Sequence, residues 1–256
     1  MSKSASGTES GSKSKVSQKN GHKIIAEGTT GCIYYPAVPC KTAGIPDAEV
    51  KKMVMKLESL DNALKDRVLG DLIRKRMAKA PADLRKQWIL PEPFVCKELT
   101  PPYPPCAQMD EVEEEGAVYI PYQTSEPLSP YMFGRKQLPS LQAFLKIMYS
   151  LLRAVKGLQD LYIYHQDIHP GNILVDSETW EIVLIDFGDA QVRIRVDQEL
   201  MERDLLEIHE VLHAMELKQN VAKNQGFLHQ LIEYILEQRR HGLDQVMNQF
   251  PVHLLS

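Results

Sequence analysis

At 256 residues, with 43% hydrophobic and 25% charged side chains, the chain is long enough for one two-lobed domain or two small ones and has the apolar material for a large core. Its net charge of -4 supplies no global basic field, which argues against nucleic acid as a main partner. No apolar run is long enough to span a membrane and the N-terminus lacks the hydrophobic centre of a signal peptide, so a cytoplasmic protein is expected.

Residues 1–21 are rich in Ser, Gly and Lys with almost no apolar side chains, and are expected to form a disordered tail. The folded chain should begin at Lys23–Ala26, with Glu27–Tyr35 completing a strand, a tight turn holding Gly28 and Gly31, and a second strand. Val50–Leu57 reads as the next strand and Leu60–Lys79 as a helix that stops at Pro81. On that helix Leu64, Val68 and Leu72 form an apolar stripe; at about 100° per residue Asp71 falls inside it and Asp66 points away. The chain should return to strand from Trp88–Pro91 onward. Lys97–Gly116, broken by Pro101, Pro102, Pro104 and Pro105 and then by the acidic run Asp110–Glu115, reads as a surface loop, and Ala117–Tyr122 as a strand. The four cysteines, Cys32, Cys40, Cys96 and Cys106, include no C-x-x-C pair, so reduced thiols are expected rather than a disulfide framework or structural zinc.

From Leu138 to Leu161, Leu141, Leu145, Met148, Leu152 and Val155 recur at helical spacing and predict a long buried helix. It leads into Tyr164–Gln191, the most chemically specific stretch of the chain. Here His165-Gln166-Asp167 is followed by Asn172 and, after a hairpin of Ile173–Val175 and Ile182–Ile185, by Asp186-Phe187-Gly188. The hairpin should set Asn172 and Asp186 at neighbouring ends. Asp167 is suited to accept or orient the proton of an attacking hydroxyl, and Asn172 and Asp186 offer the oxygen ligands that magnesium prefers. Their order and spacing match the H-x-D-x-x-x-x-N then D-F-G signature of phosphoryl transfer. Farther on, Arg203 should open a core helix, with helices near 225–240 and 243–250. A competing motif lies on the first of these: His209-Glu210-Val211-Leu212-His213 is a literal H-E-x-x-H, for which Glu233 or His229 offers a third zinc ligand. The apolar spacing of Leu205, Ile208, Leu212 and Met215 fits a packed helix instead.

These stretches resemble the catalytic and metal-binding loops of the protein kinase-like superfamily. His169–Leu174 and Ile185–Ala190 are similar to the aminoglycoside and choline phosphotransferases, while the glycine loop with Tyr35-Pro36 and Pro39-Cys40 is similar to the short kinases of large DNA viruses. The resemblance implies an α+β, two-lobed fold, with an antiparallel-sheet N-lobe over 22–122 and a reduced, mostly helical C-lobe over 123–256. It implies that Ala26, Gly28, Thr29, Thr30 and Gly31 bring backbone to the phosphates of ATP, that Ile33 covers the adenine, and that Ile120 and Tyr122 belong to the hinge that binds it. Lys56, within Val54–Leu57, takes the place of the phosphate-holding lysine, with Asp71 as its partner on the following helix. Asp167, Lys56 and Asn172 form the implied catalytic set, Asn172 and Asp186 the Mg2+ ligands, and Asp204 a brace for the catalytic loop.

The implied activity is ATP- and Mg2+-dependent phosphorylation of Ser or Thr on a protein. Between Asp189 and Arg203 there is no Ser, Thr or Tyr, and Gln166 replaces the arginine that answers an activation-loop phosphate in many kinases, so activity should not require phosphorylation there. Two rivals stand beside this reading. His169, where protein serine kinases usually carry lysine, and the phosphotransferase-like stretches allow a small alcohol or amine as acceptor; Ala26 and Asp71 leave room for a pseudokinase scaffold. Nothing in the sequence sets an oligomeric state.

Overall fold

The computed structural model describes residues 21–42, 45–219, 225–238, 241 and 243–255; the tail expected over 1–21 lies, apart from Gly21, outside them. The first half builds a five-stranded antiparallel sheet in the order β1-β2-β3-β5-β4. β1 (Lys23–Glu27) and β2 (Gly31–Tyr35) form the hairpin expected from the glycines. Gly31 is required by packing, because a Cβ there would lie 1.9 Å from the Leu57 carbonyl oxygen of the neighbouring strand. Pro46 nucleates one helical turn, α1 (Asp47–Val50), by accepting from the amides of Glu49 and Val50 (2.9 and 3.1 Å). The strand expected from Val50 therefore starts later, as β3 (Met53–Ser59). Along β3 the side chains alternate: Met55 and Leu57 enter the core, while Val54, Lys56 and Glu58 line a cleft.

Ser59 ends β3 and caps α2 (Leu60–Met77), its Oγ accepting from the Asn62 amide at 3.4 Å. The helix buries Leu60, Ala63, Gly70, Ile73 and Met77, whereas Val68 and Leu72 of the expected stripe are 66% and 46% exposed. Its packed face is made partly of small residues, which permit close approach but which an apolar count overlooks. Beyond α3 (Ala82–Arg85), Trp88–Pro91 is not the predicted strand: the Ile89 amide donates to Leu184 and the Leu184 amide to Gln87 (3.0 and 2.8 Å), docking this segment on the second half of the molecule. The sheet continues with β4 (Val95–Cys96) and β5 (Glu115–Pro121).

The expectation of reduced thiols is corrected. Disulfide Cys32–Cys106 binds the proline-rich segment to β2 across 74 residues, and Cys40–Cys96 binds the loop after β2 to the sheet across 56. Local spacing carried no sign of them, since the sheet order alone brings these distant positions together. Tyr34 reinforces the same attachment by donating its hydroxyl to the Pro104 carbonyl (2.8 Å).

In the second half, β6 (Glu126–Pro127) and α4 (Ser129–Met132) lead to α5 (Leu141–Gln159), capped by Ser140 and buried along most of its length. β7 (Ile163–Tyr164) pairs with β10 (Gln191–Val192), and β8 (Ile173–Val175) with β9 (Ile182–Leu184) makes the expected hairpin, with β6 beside β8. α6 (Gln198–Lys218) begins five residues before Arg203 because Asp197 caps it. α7 (Gln225–Glu237) and α8 (Leu243–Gln249) complete a helical core separate from that of the sheet. Among the described residues no helix is long and apolar enough to cross a membrane.

Peptide mapping under non-reducing conditions is expected to recover Cys32–Cys106 and Cys40–Cys96 as linked peptides. Replacing Cys32 and Cys106 together by Ser should cost about 2–4 kcal/mol in denaturant unfolding. Alkylation of all four cysteines in the native, unreduced protein would contradict the pairing.

Candidate active site

The loop that follows β7 is set by one buried carboxylate. Asp204, on the second turn of α6 and fully buried, accepts from the His165 amide (3.2 Å), the Gln166 amide (2.8 Å) and Gln166 Nε2 (2.8 Å). Burial pushes its carboxyl up to about 7, against the pull of the Gln166 donors. Gln166 takes a left-handed φ of 64°, which turns the chain so that Asp167 leaves the core for the cleft. The His165 ring is buried against Phe187, with Nε2 on the Ile185 carbonyl (3.1 Å); burial lowers its pKa. Asn172 Nδ2 donates to the Asp167 carbonyl (3.0 Å) and to Asp167 Oδ2 (2.7 Å), which fixes the carboxylate and leaves the Asn172 amide oxygen as the group offered to a ligand.

The β8–β9 hairpin then places Asp186 near Asn172, since the Ile185 amide donates to the Asn172 carbonyl at 3.0 Å. Asp186 is itself left-handed (φ 57°), a conformation an aspartate tolerates through local bonding, here from the Gly188 amide at 3.4 Å. A side chain at 188 would crowd the site: a Cβ there would sit 3.1 Å from Asp66 Oδ1 and 3.3 Å from Asp186 Oδ1.

Across the cleft, Lys56 Nζ lies 3.1 Å from Glu58 Oε2, 3.2 Å from Asp66 Oδ2 and 3.7 Å from Asp186 Oδ1. Burial opposes its charge, but the carboxylates of Asp186, Glu58 and Asp66 prevail and hold the ammonium above its usual range. Burial also raises the Glu58 carboxyl, which Lys56 only partly offsets. The partner of Lys56 on α2 is therefore Asp66, and the expected Asp71 is corrected: it pairs with Arg74 (2.7 Å), whose guanidinium also reaches the Pro91 carbonyl. The reason is the reversal of helix faces described above. Glu58 was not foreseen, although it lies two residues from Lys56 on a strand, and so on the same face.

Lys56, Glu58, Asp66, Asp167, Asn172, Asp186 and Gly188 border one cleft of about 820 Å³, together with Ala26, Gly28, Thr29, Thr30, Gly31, Ile33, Ile120 and Tyr122. Ile33, Val54, Ile120, Leu174 and Ile185 give it an apolar end and the acidic groups a polar one. Within the hinge, Tyr122 stacks on Tyr35 (centroids 4.0 Å apart) and spends its amide on the Lys52 carbonyl (3.0 Å), while Pro121 has no N–H. The oxygens of Asn172 and Asp186 are hard donors that fit Mg2+. The H-E-x-x-H residues do not assemble as in a zinc protease: His209 Nε2 meets Glu233 Oε1 (3.1 Å) and Glu210 is exposed.

Residues 124–196, which include Asp167, Asn172 and Asp186, match the phosphotransferase enzyme family. A 76-residue segment is 36% identical to the protein kinase gsk31 of Schizosaccharomyces pombe, and a 77-residue segment 34% identical to the serine/threonine-protein kinase RIM11/MSD1 of Saccharomyces cerevisiae. These segments make up 30% and 28% of this chain and 20% of each yeast protein, so the likeness spans only a fifth of those relatives. The solved structure of the Cydia pomonella granulovirus kinase PK-1 superposes with a TM-score of 0.55 at 13% identity, covering 92% of this chain and 94% of that one. The chain therefore shares its fold with this kinase. Its N-lobe sheet and reduced helical C-lobe are thus the α+β, two-lobed arrangement that the resemblance implied.

The ion pairs distinguish the two aspartates of the kinase-like α2. Asp66→Ala should depress phosphotransfer by the kinase activity proposed below roughly 10- to 100-fold, the order of a lost charged hydrogen bond. Asp71→Ala should stay within about 0.5 kcal/mol of wild type, as for a surface substitution. Equal effects of the two in a steady-state assay would contradict the assignment.

Proposed function

We propose that this protein is an ATP- and Mg2+-dependent kinase that transfers the γ-phosphoryl group to a Ser or Thr hydroxyl of a protein. The observation that carries this reading is the approach of Lys56 on β3 to Asp186 after β9, beside an Asp167–Asn172 pair held by hydrogen bonds. The adenine would lie at the apolar end, against Ile33 and Ile120, and because the amide of Tyr122 is taken, its recognition would fall to backbone carbonyls or to Gln123. The turn from Gly28 to Gly31, closed by the Gly28 amide on the Gly31 carbonyl (2.9 Å), would lie over the phosphates with Lys56 below them. Asp167 would accept the proton of the acceptor hydroxyl and aim its oxygen in line with the leaving group, held in place by Asn172. Mg2+ on Asn172 and Asp186 would supply neutralisation of the charge on the phosphoryl oxygens.

The names of the two yeast relatives support a protein acceptor. A second reading, with a small alcohol or amine as acceptor, is favoured by the phosphotransferase match over 124–196 and by the short run between Gly188 and α6. The ordered ion pairs of Lys56 speak against a pseudokinase. A cytoplasmic site of action is in tension with the two disulfides, which belong to oxidising settings; thiol mapping of the protein taken from its native source decides between them.

Incubation with labelled ATP and a panel of proteins and small metabolites should label protein Ser or Thr. Activity should require magnesium and fall about 10²–10⁴-fold in Asp167→Ala, the range for loss of a general base. Phosphatase pretreatment should leave turnover unchanged, because the segment from Asp189 to Arg203 contains no acceptor residue. Labelling confined to a metabolite would select the second reading, and no turnover with any acceptor would sink both.

A further inference from the structure

The H-E-x-x-H helix carries a different cluster from the one its motif suggests. On α6, His213 and Glu216 are three residues apart and share a face, and His229 joins them from α7. One ligand atom from each of the three lies within 4.8 Å of the other two. His213 Nδ1 is 3.4 Å and His229 Nδ1 3.5 Å from the same oxygen, Glu216 Oε2. That oxygen is buried on a side chain only 2% exposed, and neither it nor the buried His213 Nδ1 has a hydrogen-bond partner among the described residues. A buried carboxylate oxygen left without a hydrogen bond is costly unless something else compensates it. Two imidazole nitrogens and a carboxylate oxygen bound to one tetrahedral ion at about 2.0–2.2 Å would sit roughly 3.3–3.6 Å apart; the two contacts to Glu216 already have that spacing, and the two histidine nitrogens lie within 4.8 Å of each other.

We propose that His213, Glu216 and His229 form a binding site for a divalent transition metal of the zinc class, clasping α6 to α7. Imidazole and carboxylate together suit zinc better than magnesium, which prefers oxygen alone. The exposed His229 gives the ion a route in from solvent, and a water molecule would complete the shell. Glu210, the catalytic base of a zinc protease, takes no part, so the site is a clasp rather than a peptidase centre. It lies on the same helix that supplies Asp204 to the catalytic loop, nine to twelve residues farther along.

The test is calorimetric titration of the full, chelator-stripped chain with Zn2+ in excess magnesium, with Co2+ absorption as a probe of geometry. One Zn2+ per chain should bind, Co2+ should give the intense visible bands of a tetrahedral site, and saturation should raise the melting temperature. His229→Gln, at an exposed position that should not disturb folding, should weaken Zn2+ roughly 100-fold or more and abolish the thermal shift. Glu216→Gln should do the same, and Glu210→Gln should bind as wild type. The proposal is overturned if wild type shows no saturable one-to-one binding, which would leave the cluster as histidine–carboxylate ion pairs. It is equally overturned if His229→Gln binds normally or if Glu210→Gln loses the metal.

Discussion

The structure depends on one ammonium group placed among three carboxylates. Lys56 belongs to β3, as does Glu58; Asp66 belongs to α2, and Asp186 to the turn after β9. A single side chain thereby links the sheet, the helix behind it and the helical half of the molecule. Removing the lysine would leave the nearly buried Glu58 and the mostly buried Asp66 facing each other without compensation, a far larger penalty than the loss of an exposed ion pair. The alternation of β3 makes the arrangement possible. Its two faces separate completely, with Met55 and Leu57 on one and Lys56 and Glu58 on the other, so core packing fixes the direction of the charged residues.

A second buried carboxylate performs the corresponding task for the catalytic loop. Asp204 holds consecutive amides of a loop that has no ladder of its own, and so converts the rigidity of α6 into the placement of Asp167. Arg203, its neighbour on the helix, bonds the Gln166 carbonyl (2.9 Å), and Gln166 bonds the Leu200 carbonyl (2.8 Å). In many kinases an arginine at position 166 answers a phosphate on the activation segment. Here the glutamine turns inward and spends its side-chain amide on the Leu200 carbonyl and the Asp204 carboxylate of the helix.

What the sequence disclosed follows from the range over which each feature is encoded. Asp167, Asn172 and Asp186 were legible because their spacing is local and the hairpin between them announces itself by two short apolar runs around an Asp-initiated turn. The long helix α5 was legible because burial on nearly every side leaves a dense apolar period. Asp66 was misjudged because α2 packs through Ala63 and Gly70 and shows Val68 and Leu72 to solvent, the reverse of an ordinary amphipathic helix. The disulfides escaped for another reason: Cys32 and Cys106 become neighbours only through the order of the sheet strands, a non-local property that spacing cannot express. The apolar run from Trp88 reads as a strand, yet that segment binds β9 rather than the large sheet.

The charges of the cleft constrain how the proposed reaction can be assembled. Around Lys56 there are three carboxylates, with Asp167 across the cleft from it, so the protein alone offers acidic groups in excess of basic ones where triphosphate would lie. Free ATP would meet repulsion there, because one ammonium cannot neutralise both the phosphates and its own partners. Two features relieve this. Burial raises the Glu58 carboxyl, so that this member of the trio is the readiest to take up a proton and withdraw its charge. Divalent cations arriving with the nucleotide would meet the oxygens of Asn172 and Asp186, and each would bring two positive charges to the place of greatest excess. In the proposed reaction the acidic surplus would therefore contribute selectivity: it would disfavour the bare nucleotide and favour the metal-bound one, before any contact with the adenine is counted.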